Sequence, residues 1–276
     1  YQEEVRDPSR MAEVLNRVIE KAFRGSAPAQ INVPRDYWTQ VIDIELPPIV
    51  RFERQGGGKD AIDRAAKLLS DAKFPVILSG AGVVIGGAIE ECKKLAEKLD
   101  APVCNGYQHN DSFPGSHPLA VGPLGYNGSK AAMELISKAD VVLALGTRLN
   151  PFSTLPGYGI DYWPKKATII QVDMNPDRIG LTKKVSVGIC GDAKQVAQQI
   201  LDKLSSDAGN TGREERKNLI HKTKSAWLQT LSGLDHEEDD PGTVWNKEAR
   251  ERDKDRMSPR QAWRAIQDAL PQDAII

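Results

Sequence analysis

Pro75-Val-Ile-Leu-Ser79 runs directly into Gly80-Ala-Gly82-Val-Val-Ile-Gly86, and the architecture can be read outward from this join. Val76 to Leu78 is an unbroken apolar run, the mark of a strand covered on both faces rather than one. The glycines allow a sharp turn, after which Ile89, Cys92, Leu95 and Leu99 recur at helical spacing. The same alternation continues on both sides. Ile62, Ala65 and Leu69 give a helix before the strand. After it come Pro102-Val-Cys104, a helix with Met133 and Ile136, and apolar strands at Val141 to Leu145, Thr168 to Val172 and Val185 to Cys190. The last passes through Gly191-Asp192 into a helix with Val196, Ile200 and Leu204. Strands alternating with helices predict an α/β fold, a doubly wound, mostly parallel, Rossmann-like sheet over residues 59–204.

Partial domains are expected on either side. In residues 1–58, Asp7-Pro8 is an N-cap and first-turn pair, and Met11, Leu15, Val18 and Ala22 follow at helical spacing up to Gly25. Ala29 to Val33 alternates as a short strand before Pro34, and Pro47, Pro48 and Gly56-Gly-Gly58 read as a linker. One helix and one strand cannot close a core, so this block reads as the tail of a domain. Residues 205–256 hold 12 acidic and 10 basic side chains of mixed order, which predicts a charged linker with a solvated helix. Residues 257–276 begin a further domain: Ser258-Pro259 caps a helix bearing Trp263, Ile266 and Leu270, Pro271 ends it, and Ala274-Ile-Ile276 starts a strand. Both ends read as cut, as in an internal piece of a longer polypeptide.

Composition narrows the function classes. The 276 residues carry 37 Lys+Arg against 38 Asp+Glu, are 40% hydrophobic and 27% charged, and so exclude disorder as the main state. A net charge of -1 argues against a nucleic-acid partner. The uncharged stretch Phe74 to Ile89 falls short of the ~20 residues that span a bilayer, so no membrane role is expected. Cys92, Cys104 and Cys190 are too scattered for a disulfide framework or a CxxC site, which fits a reducing cytoplasm.

Chemistry-bearing candidates follow strands. Gly80 and Gly82, with Gly86, either cradle a phosphate or merely allow a tight turn and close packing; no acidic residue ends a second strand at the distance an NAD site wants. Arg148, in Gly146-Thr-Arg148, either clamps an anion or makes a surface ion pair. Asp173 and Asp192 either meet a ligand or cap their own turn and helix. Tyr107, His109, Asn110 and Asp111 lie in a long loop from Asn105 to Asn127 that is placed to reach a substrate. His109, Asp111 and His117 lack the spacing of a metal site. No GxSxG, HExxH or P-loop motif occurs.

The order of these parts resembles the middle third of a thiamine-diphosphate-dependent enzyme of the acetolactate synthase type. The resemblance rests on Pro28-Ala-Gln-Ile-Asn-Val-Pro-Arg-Asp36, the glycine-containing central block, the charged linker and Met257-Ser-Pro-Arg260. Longer strings resemble more narrowly the branch acting on sulfoacetaldehyde and phosphate: Tyr1-Gln-Glu-Glu-Val-Arg-Asp-Pro8, Pro34-Arg-Asp-Tyr-Trp-Thr-Gln40, Gly106-Tyr-Gln-His-Asn-Asp111, Gly125-Tyr-Asn-Gly-Ser-Lys130 and Asn150-Pro-Phe-Ser-Thr-Leu-Pro-Gly-Tyr-Gly159. The resemblance implies an acyltransferase that forms acetyl phosphate and releases sulfite; the alternatives are a 2-oxo-acid-utilising relative such as acetolactate synthase, and a non-catalytic nucleotide-binding module. It implies thiamine diphosphate and Mg²⁺ held by residues before Tyr1 and after Ile276, so that residues 1–276 contain no catalytic residue and are inactive alone. Gly191-Asp192 is not the Gly-Asp-Gly metal motif of that family. FAD or ADP would fall on Gly80, Gly82, Arg148, Asp173 and Asp192, the sulfonate on Tyr107 to Asp111 or Arg148, and the assembly would be a homodimer or homotetramer.

Overall fold

The computed structural model describes residues 1–25, 27–46, 48, 53–125, 128–233, 257, 259–271 and 274. Contacts divide the chain into two compact units, Tyr1–Gln55 and Gly56–Ile276.

In the first unit, β1 (Gln2–Glu4), α1 (Met11–Gly25) and β2 (Gln30–Asn32) form a small parallel pair with a helix. Asp7 caps a 3-10 turn at Pro8–Arg10 by accepting from Ser9 N. Val5, Val14 and Val18 are buried together, with Ile31, Val33 and Tyr37 packed on them. β1 was not anticipated, because Gln2-Glu-Glu4 has neither alternation nor strand propensity; its backbone pairs with β2 and Glu3 is held by Arg17 (Nε–Oε2 3.0 Å).

The second unit contains α2 (Lys59–Asp71), β3 (Pro75–Ser79), α3 (Ala81–Gly86), α4 (Ile89–Leu99), β4 (Val103–Asn105), β5 (Ala120–Pro123), α5 (Lys130–Ile136), β6 (Val141–Leu145), β7 (Thr168–Asp173), β8 (Val187–Cys190), α6 (Ala193–Lys203), α7 (Arg213–Gly233) and α8 (Pro259–Ala269). Its sheet has the order β5-β4-β3-β6-β7-β8, with every pairing parallel. The chain therefore starts in the middle, winds outward to β5, and returns to β6 on the other side of β3. That is the doubly wound order, with its reversal between β3 and β6. Both of these strands are buried at every residue. α6 packs between α2 and α4, and α5 packs on α7, giving the two helical layers. Ile62, Leu69, Ile77, Leu78, Leu95 and Leu99 are fully buried, each contributing about 1.5–3 kcal/mol of transfer free energy.

Five expectations are corrected. The stretch after Gly82 makes two helices, because Gly87 adopts a left-handed conformation and closes α3 with its N–H on Val83 O and Val84 O. The loop from Asn105 to Asn127 contains β5; this is an edge strand, where Pro123 costs no ladder bond, and its brevity hid it. The glycine linker is partly docked, since Gln199 Nε2 donates to Gly56 O at 2.9 Å and Gly57 sits at φ 82°. The charged block is no solvated helix through its length: α7 buries Arg216, Ile220 and Thr223, spaced as one helical face. β8 also begins two residues later than the apolar run suggested. The Ser258 cap, most of Ala274-Ile-Ile276 and residues 234–256 lie outside the described residues.

Candidate functional site

All six strands of the second unit are parallel, so the segments leaving their carboxyl ends share one edge. Every site candidate from the sequence follows a strand end and is brought to that edge: Gly80 and Gly82 after β3, Tyr107 to Asp111 after β4, Arg148 after β6, Asp173 at the end of β7, and Asp192 after β8. Ligands of open α/β sheets bind there, at the point where strand order reverses.

At the reversal the two turns touch through backbone. Gly80 N donates to Leu145 O at 3.1 Å and Gly82 N to Gly146 O at 2.8 Å, while Val83 N returns to Gly80 O. A Cβ on Gly82 would lie 2.6 Å from Gly146 Cα, and one on Gly146, whose φ is 62°, would lie 2.7 Å from Gly82 Cα. The glycines are therefore required by close approach. The donors that a pyrophosphate would need at Gly80 and Gly82 are spent inside the chain, so this turn does not fit that group.

The carboxylates are likewise engaged. Asp173, 8% exposed, accepts from Asn175 N at 2.8 Å. Asp192, 1% exposed, caps α6 by accepting from Lys194 N (3.0 Å) and Gln195 N (3.2 Å). Gly191-Asp192 thus has its carboxylate turned to a helix end. Among the described residues no group of three or more His, Cys, Asp or Glu side chains stands close enough to hold a metal. The described residues do not fit a magnesium–diphosphate site.

Arg148 is exposed and carries no ion pair among the described residues, contrary to the surface-pair reading. Its turn is fixed from beneath by Gln171, 1% exposed, which donates to Thr147 O and Arg178 O (both 3.1 Å) and accepts from Gly180 N (2.9 Å). Thr182 Oγ1 adds a bond to Leu149 O at 2.7 Å. Leu149 is fully buried at φ 55°, a conformation that a leucine holds only when its surroundings impose it.

The Tyr107–Asp111 loop stands on a buried polar network. Ser79 Oγ donates to Ser112 O (3.1 Å), Asn105 Nδ2 to Ser112 Oγ (2.9 Å), and Ser112 Oγ to His109 O (2.8 Å). Gln108 takes φ 71°. Tyr107 and His109 are half-buried, Asn110 and Asp111 exposed, and the nearest His109–Asp111 approach is 3.9 Å. The loop after β6 completes the arrangement: Ser153 Oγ accepts from Tyr107 N at 2.9 Å, the Phe152 and Tyr107 rings stack at 6.2 Å, and Tyr162 OH donates to Ser153 O at 3.1 Å. Phe152 and Ser153 were not among the sequence candidates. Asn150-Pro151, which caps their 3-10 turn, was the local signal.

Cys92 and Cys104 belong to the core. Burial pushes the Cys92 thiol up to about 12 and Cys104 upward as well. Cys190, at the end of β8, is partly exposed.

The model of the thiamine pyrophosphate enzyme central domain matches residues 62–200. A probable sulfoacetaldehyde acetyltransferase of Rhizobium meliloti (strain 1021) is 79% identical over 276 residues, covering all of this chain and 47% of that protein. A sulfoacetaldehyde acetyltransferase of Roseovarius nubinhibens is 76% identical over the same length, covering 46% of that protein. The chain spans about half the length of the curated relatives it matches. Among solved structures, benzoylformate decarboxylase from Polynucleobacter necessarius superposes with a TM-score of 0.64 at 23% identity, over 76% of this chain and 39% of that one. That likeness concerns the fold alone.

Proposed function

This chain belongs to the thiamine pyrophosphate enzyme family, whose central domain it carries, and from that premise we propose that the whole polypeptide is a sulfoacetaldehyde acetyltransferase. The reaction takes sulfoacetaldehyde and phosphate to acetyl phosphate and sulfite: the aldehyde hydrogen leaves as a proton, the carbon–sulfur bond breaks with sulfite taking the electron pair, the former methylene takes up a proton to become the methyl group, and a phosphate oxygen, giving up its own proton to sulfite, bonds to the former aldehyde carbon. The observation that carries this reading is the 79% identity across all 276 residues, the rim loops included.

Within that protein the second unit acts as a scaffold. The closed Gly82–Gly146 contact sets the spacing of β3 and β6, and the carboxyl-edge loops present Tyr107 to Asp111 and Arg148 toward an anionic substrate group. Thiamine diphosphate and Mg²⁺ are assigned to parts of the polypeptide outside residues 1–276. The second unit holds no FAD or ADP in this reading, since Gly80 N, Gly82 N and both carboxylates already have partners. A homodimer or homotetramer in a reducing cytoplasm completes the proposal. Among the described residues no helix is long and apolar enough to cross a membrane.

The test is an assay of the full-length protein with sulfoacetaldehyde plus phosphate, and separately with pyruvate. Acetyl phosphate and sulfite in equal amounts are the expected products. Acetolactate from pyruvate, with no acetyl phosphate from sulfoacetaldehyde, would replace this reading with the acetolactate synthase one. Titration with FAD and ADP and measurement of mass in solution check the remaining parts.

A further inference from the structure

α7 is held by a buried anchor near its start and by an aromatic contact further along. Near its start, Arg216 is 1% exposed. Its Nε donates to Asp100 O (2.9 Å), Nη1 to Lys73 O (2.6 Å) and Thr211 O (2.9 Å), and Nη2 to Leu99 O (2.8 Å) and Gly209 O (2.5 Å). A guanidinium has five N–H groups, and all five are spent on carbonyls. Burying that charge is costly unless it is so satisfied, and burial draws its pKa below the ordinary arginine value. Lys73 precedes β3 and Leu99 and Asp100 precede β4, so the anchor lies at the amino edge, opposite the candidate site.

Eleven residues along, a rise of about 16 Å, Trp227 meets the Tyr158 ring edge-on, with centroids 5.6 Å apart and planes at 63°. Tyr158 is held at φ 52° and its hydroxyl donates to Gly128 O at 3.0 Å. Between the two ends, Lys224 Nζ donates to Pro118 O at 2.7 Å. Tyr158 belongs to the loop that supplies Phe152 and Ser153, and these hold Tyr107. Arg216 and Trp227 are thus joined by α7, Trp227 touches Tyr158, and the loop backbone from Tyr158 back to Ser153 leads to Tyr107. We propose that α7 is a strut that sets the 150–159 loop and, through it, the Tyr107–Asp111 loop, with Trp227 and Arg216 as positioning residues. Such a strut would serve whichever reaction the protein performs. The competing explanation is that α7 only covers the apolar face of α5.

Amide hydrogen exchange on the full-length protein separates the two. In Trp227→Ala, exchange over 150–159 and 107–111 should quicken by about two- to tenfold, the range an aromatic pair supplies, with 75–79 and 141–145 unchanged. Trp227→Phe should restore the parent pattern. Arg216→Lys should add exchange at 209–217; if that variant does not fold, Trp227→Ala decides alone. Faster exchange confined to α7, or spread evenly over the second unit, would overturn the proposal.

Discussion

Gly82 and Asp192 were each read from the sequence as either ligand contacts or local structural devices, and each has a single-substitution test. Gly82→Ala must push β3 and β6 turns apart, because the new Cβ meets the backbone of Gly146 rather than a movable side chain. The expected loss is about 1–3 kcal/mol, the usual cost of overpacking, read as a fall in Tm; an unchanged Tm would mean the turns can separate freely. Asp192→Ala should cost about 0.5–2 kcal/mol through the lost cap, while Asp192→Asn retains an oxygen for Lys194 N and should lose less. Equal loss from both variants would contradict a role based on hydrogen bonding at α6.

At the scale of elements, the β1–α1 tie is electrostatic and should respond to acid. The Arg17 guanidinium holds the Glu3 carboxyl at about 2, against an ordinary 4.5. Arg10, and then Arg17, hold Glu13 at about 2. A carboxyl whose folded value is depressed stabilises fully above the unfolded value and loses that contribution as pH falls toward the folded one. The first unit should therefore loosen between about pH 4.5 and 2, and Glu3→Gln should flatten that part of the profile; an unaltered profile in the variant would exclude this pair as the cause. α7 teaches a different lesson about elements. Its sequence is so charged that a solvated helix is the natural expectation, yet Arg216 is buried because carbonyls from two distant segments and from the turn just before the helix surround it. No local pattern announces such a set of acceptors.

Across the whole molecule, the sheet core seals two of the three thiols. At pH 8 a thiol reagent should modify Cys190 in the folded protein and reach Cys92 and Cys104 only in denaturant, as read by mass spectrometry of their peptides. Labelling of Cys104 under native conditions would show that the core opens far more readily than its burial implies.

The chain by itself determined the wound sheet, because apolar runs such as Val76 to Leu78 and Val141 to Leu145 exceed what one covered face requires, and the helices between them keep a 3.6-residue period. It also placed Gly80, Arg148, Asp173 and Asp192 after strands, which in an all-parallel sheet is enough to gather them at one edge. Only the tertiary structure decided what those groups do there: that the glycines approach each other across the strand reversal, that the carboxylates face backbone N–H groups, and that Phe152 and Ser153 support Tyr107. Periodicity is a property of neighbours along the chain. Partnership between Gly82 and Gly146, or Arg216 and Lys73, depends on segments far apart in sequence, and these meet only once the sheet has formed.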